Sequence, residues 1–227
     1  MAKQNFKKSD EQLENVNEAL STTGQWIEQN QNILTWIILG IVVIILGFLA
    51  IRNYVIRPNQ LAASNENAKA VVYFQQQDWA TALNGDDAEC LGFAAIADSY
   101  KLYQQGELAA LYAGICSYKL GEYEDAQQYL KRFSADDLMI DPAARILLGD
   151  TYVQLDELDK AAKTFDAASK SQNEILAPIA LKKAGIVYLE LGNKAAAKKC
   201  FGLIESTYPQ SAEAQDIAKY IALATEK

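Results

Sequence analysis

Three stretches of this chain read as copies of one another: LYAGICSYKLGEYEDAQQYLKRF from Leu111, ILLGDTYVQLDELDKAAKTFDAA from Ile146, and KKAGIVYLELGNKAAAKKCFGLI from Lys182. Written one below another, they place Gly114, Gly149 and Gly185 in one column, Gly121, Asp156 and Gly192 in a second, and Ala126, Ala161 and Ala197 in a third. The columns recur at intervals of 35 and 36 residues. A period of that length fits a pair of helices with their turns. The small residue of the first helix lets the second approach closely, and the alanine sits at the same crossing. Gly121, Asp156 and Gly192 fall where the two helices of each pair should be joined. Tyr152 and Tyr188 are expected between neighbouring helices, and Leu130, Phe165 and Phe201 are expected to pack one pair on the next. The Tyr208-Pro209 step ends a helix, because proline cannot continue one.

A hairpin of this size cannot bury its apolar face alone, so the pairs must stack. Upstream, Lys69 to Asn84 and Ala88 to Gln105 read as a degenerate pair with Leu83-Asn84-Gly85 at its turn. In it, Phe93 and Ile96 stand at places like those of Phe201 and Ile204. Downstream, Ser211 is placed to cap a last helix, with Glu213 in its first turn. Ile217, Tyr220 and Ile221 would cover the final pair and leave Asp216, Lys219 and Glu226 in solvent.

From Ile33 to Ile51 the chain runs ILTWIILGIVVIILGFLAI, 19 residues without a charge. At about 1.5 Å per residue such a helix spans roughly 28 Å, close to the hydrocarbon thickness of a bilayer. Fourteen of these residues are Ile, Leu, Val or Phe. Their insertion is favoured by about 4–8 kcal/mol as an upper figure. Trp36 and Tyr54 lie near the two ends, where interfacial aromatics belong. A cleaved leader would have a shorter apolar region behind a short basic start, whereas 32 residues precede this run. Before it, Ser9 to Gln29 reads as a helix with a narrow stripe of Leu13, Val16, Leu20 and Ile27. Its acidic polar face suits a partner helix better than lipid. Arg52, Arg57 and Lys69 follow the run while Asn15 to Asn32 holds no Lys or Arg. Counted locally, this favours a cytoplasmic C-terminal part, and Lys3, Lys7 and Lys8 pull the other way.

Composition narrows the function. A net charge of −8 argues against a nucleic-acid partner, since phosphate binding needs clustered Lys and Arg. The chain has no histidine, which removes His-based triads and most zinc sites. Cys90, Cys116 and Cys200 are far apart, show no metal spacing, and read as small buried hydrophobes in helices. The acidic pairs Asp86-Asp87 and Asp136-Asp137 fall at expected helix boundaries, where carboxylates cap. With no phosphate loop or nucleophile elbow, the chain is expected not to be an enzyme and to need no cofactor.

At the Gly–Tyr–Gly–Ala–Phe–Pro positions named above the chain resembles the tetratricopeptide-repeat family. Ser117 departs from its aromatic position and Asp156 from its turn glycine. The resemblance implies an all-α fold: a single N-terminal transmembrane helix followed by a tetratricopeptide-repeat α-solenoid. The boundaries are an amphipathic arm over 1–32, a membrane helix over 33–54, a linker over 55–69 and a degenerate repeat over 70–106. Repeats follow over 107–141, 142–177 and 178–210, and a capping helix over 211–227.

The stretches NVNEALSTTGQWIEQNQ, DWATALNGDD, GELAALYAGICSYKLGEYEDAQQYLKRF and APIALKKAGIVYLELG carry a narrower likeness. They are similar to single-span repeat proteins of the YfgM type, ancillary to the bacterial Sec translocon, in versions from the Bacteroidetes. That likeness implies an inner-membrane protein with its repeats in the periplasm, against the local charge count. It implies translocon subunits, periplasmic chaperones or nascent exported polypeptides as partners. In such stacks the first helices line a concave surface. Here that lining would be Leu108, Leu111, Tyr112, Ile115, Tyr118 and Lys119, then Ile146, Asp150, Val153 and Gln154, then Lys182, Ile186, Leu189 and Glu190. Some members hold a chaperone's C-terminal carboxylates with Lys and Asn four apart in one first helix. The corresponding pairs here are Leu111 and Ile115, Ile146 and Asp150, and Lys182 and Ile186, so this clamp is absent. An apolar or aromatic segment is the expected ligand.

Overall fold

Four residues of this chain make the same left-handed step: Gln77, Gly121, Asp156 and Gly192, with φ of +61°, +81°, +58° and +73°. At each, the following residue's N–H donates to the carbonyl five back (Tyr73, Ser117, Tyr152 and Tyr188) at 2.8–3.0 Å. This is the Schellman closure of a helix, which satisfies carbonyls that would otherwise be orphaned. Each one ends the first helix of a pair. The computed structural model describes residue 26, residues 30–86 and residues 89–225. Among these residues all regular structure is helical. The predicted arm helix Ser9–Gln29 lies outside them apart from Trp26, as do Asp87 and Glu226.

The chain divides into two compact units, residues 1–58 and 59–227. The first holds α1 (Gln31–Ile51), followed by a π-turn over Arg52–Ile56. No side chain of α1 is buried by protein. The helical run Gln31–Gln75 is the one, among the described residues, long and apolar enough to cross a membrane.

The second unit is built from helix pairs. α2 (Arg57–Gln75) turns at Gln77 into α3 (Trp79–Asn84), and α4 (Gly92–Ser99) follows. α5 (Gln104–Leu120) pairs with α6 (Tyr123–Leu130), and α7 (Ile140–Gln154) with α8 (Leu158–Ala168). α9 (Leu176–Glu190) pairs with α10 (Lys194–Thr207). Within each of these three pairs the glycine column is the crossing point. A Cβ on Gly114 would stand 2.6 Å from the Leu130 side chain, one on Gly149 2.4 Å from the Phe165 ring, and one on Gly185 2.3 Å from the Phe201 ring. Leu130, Phe165 and Phe201 thus lie on the glycine of their own pair and also meet the element that follows, Leu130 with Ala144, Phe165 with Lys183 and Phe201 with Tyr220. The alanine column is fully buried, Ala126, Ala161 and Ala197 alike.

The first pair differs from the sequence reading. Its turn is at Gln77, not at Leu83-Asn84-Gly85. Counted from Gln77, Ala70, Tyr73 and Ala82 fall seven before, four before and five after. Gly149, Tyr152 and Ala161 stand in the same relation to Asp156. Ala70 and Ala82 are fully buried, as that pattern demands. What hid the register is an insertion: residues 85–91 interrupt the second helix, which resumes as α4 and carries Phe93 and Ile96 into the core. Gly85 and Gly92, both at positive φ, close the neck of this loop. A Cβ on either would meet backbone at 2.2 Å. Asp86 ties the loop down, accepting from the Glu89 and Cys90 N–H groups and from the Tyr73 hydroxyl at 2.6 Å. Cys90 is thus in a loop, not a helix, though buried as expected.

The core falls into two large clusters. One gathers Ala70, Ala82, Phe93, Ile96, Ala113 and Cys116. Beside them, Phe74 meets Tyr112 edge-on at 4.9 Å, and Tyr112 stacks on Phe93 at 4.8 Å. The other runs from Ile146 and Phe165 through Phe201 to Ile217 and Ala224. Between them only a small cluster of Leu111, Leu130 and Ala144 spans α5, α6 and α7. The far end closes as read from sequence: the Ser211 hydroxyl accepts from the Ala214 N–H at 3.3 Å and opens a 3-10 turn, Ala212–Asp216. α11 (Ile217–Leu223) follows, and the Tyr220 ring lies 5.3 Å from that of Phe201.

Candidate protein-binding surface

The candidate lining comes from α5, α7 and α9, the first helices of three successive pairs. Side chains three, four and seven positions apart on each share a face. The structure sorts the fourteen residues into three groups. Leu111 and Ile146 are buried, at 7% and 8% exposure, so they serve the core more than an open surface. Tyr112 is half-buried and engaged in the aromatic cluster with Phe74 and Phe93. Leu108, Ile115, Tyr118, Val153 and Leu189 are also half-buried, while Lys119, Gln154, Ile186 and Glu190 are exposed.

The two remaining members, Asp150 and Lys182, are both committed within the chain. Asp150 accepts from Lys183 Nζ of α9 at 2.7 Å, and that ammonium also lies 5.8 Å from the Phe165 ring centre. Lys182 Nζ donates to Asp216 at 2.6 Å and lies over the Tyr220 ring. The bond from Lys182 holds the Asp216 carboxyl below the usual carboxylate range. Asp216 is exposed, as expected, and also ties the capping turn to α9. The charged pairs fix neighbouring elements to each other, which leaves half-buried apolar side chains, Leu108, Ile115, Tyr118, Val153 and Leu189, between the exposed Lys119, Gln154, Ile186 and Glu190.

Leu111 and Ile115 meet Leu130 and Ala144 in the small cluster, whereas Ile146, Val153 and Leu189 converge in the large C-terminal one. With Tyr112 in the first large cluster, the face is continuous in chain order but rests on three different clusters.

A hollow of about 540 Å³ lies elsewhere, between α8, α9 and α10, and none of the fourteen residues lines it. Tyr188 forms one wall, its hydroxyl donating to Asp166, and Cys200 is part of the lining. Bonding to Asp166, with burial second, pushes the Tyr188 phenol up to about 12, and burial pushes the Cys200 thiol to about 11. The signal that would have pointed there is the run Ala196, Lys199, Cys200 and Leu203 in α10, a small–polar–small–apolar face at helical spacing. Asp137, read as a capping carboxylate, accepts from the N–H groups of Met139 and Ile140 at the start of α7. Those bonds lower its carboxyl below the usual value. Among the described residues, no three His, Cys, Asp or Glu side chains converge where a metal ion could sit.

Stacked helix pairs closed by left-handed turns, with a small residue under each second helix, define a helical-repeat scaffold. The family described as tetratricopeptide repeat-like domain matches residues 24–217, and the chain belongs to it. That domain is a scaffold for protein–protein contact. A comparison with curated proteins found no match.

Proposed function

We propose that this protein is a membrane-anchored, non-enzymatic adaptor of the Sec translocon. In this reading α1 spans the bacterial inner membrane, and the repeats stand in the periplasm and meet exported polypeptides or periplasmic chaperones. The observation that carries it is the combination of an unburied apolar helix with a repeat face whose half-buried charges, Asp150 and Lys182, are already paired internally. Such a face favours an apolar segment over a carboxylate-tagged one, because Asp150 and Lys182 would have to give up their present partners to bind a charge. Leu108, Ile115, Tyr118, Val153, Ile186 and Leu189 are the contacts we assign to the client.

Crosslinking in membranes followed by extraction in mild detergent is expected to recover translocon subunits. Their consistent absence would overturn the assignment. Arg52 and Arg57, just after α1, favour a second reading: a cytoplasm-facing repeat adaptor for another inner-membrane complex. An alkaline phosphatase fusion at the C-terminus decides between them, active in the periplasm and inactive in the cytoplasm.

A further inference from the structure

The loops that join one helix pair to the next carry large apolar side chains with no protein over them. Leu102 precedes α5, Leu138, Met139 and Ile140 lead into α7, and Ile175 leads into α9. Together with Leu61 on α2 they are between 46% and 86% exposed. In an up-and-down stack these loops lie on one edge, and the left-handed turns at Gln77, Gly121, Asp156 and Gly192 lie on the opposite edge. Neighbouring loops touch: Asn173 Nδ2 donates to the Leu138 carbonyl at 3.1 Å. At the start of the stack, Asn67 Nδ2 of α2 donates to the Gln105 carbonyl at the head of α5. The chain enters the repeat unit on this same edge, at Asn59. Counted from the left-handed turns, Leu61 and Ile140 both stand sixteen residues before and Ile175 seventeen, while the Asn67–Gln105 bond shifts α2 so that Leu61 projects beyond the start of α5.

We propose that this edge docks on the lipid surface, with the loop side chains inserted among the headgroups. The inference rests on α1 being a membrane span. Leu61 follows Ile51 by ten residues, all helical. At about 1.5 Å per residue these ten residues hold Leu61, where the chain joins this edge, within roughly 15 Å of the hydrocarbon boundary. The headgroup layer itself occupies about 5–7 Å of that distance, and any tilt shortens the rest. The attraction is apolar, not electrostatic, since Asp136, Asp137 and Glu174 share these loops with Lys101. Burial of such side chains at an interface is non-directional, so irregular loop tips serve as well as a helix face.

Single cysteines at Leu138, Ile175, Val43 and Glu122 of the full-length protein, spin-labelled in phosphatidylcholine vesicles, test this. Cys90, Cys116 and Cys200 are buried and leave the introduced thiols as the labelled ones. The expected result is a label at 138 and 175 several-fold more accessible to oxygen than to a water-soluble nickel complex. Salt should not change it, position 43 should give the same reading, and position 122, on the opposite edge, should give the reverse. Position 43 in lipid with 138 and 175 in water would overturn the docking and leave the anchor standing. Position 43 in lipid with 138 and 175 shielded from both probes would mean that protein covers the edge, which also overturns it. A lipid-like reading at 122 removes the edge specificity and refutes it too. Position 43 in water removes the anchor and the docking together.

Discussion

At the scale of single residues, the repeat is held by crossings that leave no room for a methyl group on the first helix. Gly149→Ala puts a methyl into the Phe165 ring, and overpacking of this kind costs about 1–3 kcal/mol, partly offset by about 1 kcal/mol of helix propensity. Gly202→Ala, also helical but with open space around its Cβ, should be neutral or stabilising by up to about 1 kcal/mol. Urea unfolding of the detergent-solubilised chain, followed by far-UV circular dichroism, separates the two. Tyr188 supplies a pH signature. Its phenol is raised to about 12 in the fold, so the protonated form is favoured there. The stabilisation is complete below the unfolded value near 10 and is lost as pH rises from about 10 towards 12. Wild type should lose thermal stability over that window more steeply than Tyr188→Phe, and equal slopes would refute the Tyr188–Asp166 coupling. The glycine and alanine columns were readable because steric exclusion leaves few residue types possible. The pairings of Asp150 with Lys183 and Lys182 with Asp216 were not, because each joins elements more than thirty residues apart whose meeting depends on the stack.

Among the elements, the left-handed turn is the recurring joint, and its chemistry explains why one joint went unread. Glycine and aspartate announce a positive φ, and glutamine does not. The Asn84-Gly85 step drew attention as a turn, but it closes an inserted loop. Gln77→Gly is expected to raise stability by about 0.5–1 kcal/mol, the left-handed strain relieved outweighing the added chain entropy. Gly121→Val should lower it by about 1–2 kcal/mol with no steric clash involved, since nothing lies within 4 Å of that Cβ position. Chemical denaturation midpoints at constant m-value check both. The two parts of the first pair's second helix, Trp79–Asn84 and Gly92–Ser99, fall in different helices of the sequence pattern, Lys69 to Asn84 and Ala88 to Gln105. That they form one interrupted helix was not legible, because the seven residues between them break the period that defined every other unit.

For the whole repeat unit, stability is a sum over neighbours, and the sum is uneven. Leu130 stands where later pairs have phenylalanine, and Ser117 stands where they have tyrosine. The Ser117 hydroxyl is fully buried without a hydrogen-bond partner. Ser117→Ala should therefore stabilise the chain by about 1 kcal/mol, readable as a higher urea midpoint. The same thin packing separates the two large clusters. Native-state hydrogen exchange should show α2–α5 and α7–α10 opening with distinct free energies, with α6 following the weaker block. A single uniform opening would refute the division.

Two blocks joined at Leu111, Leu130 and Ala144 behave as a spring with a soft coil near its middle. Load applied along the stack would be absorbed there first. The pitch between the early and late pairs would change while each block kept its shape, and one scaffold would then fit segments of differing girth.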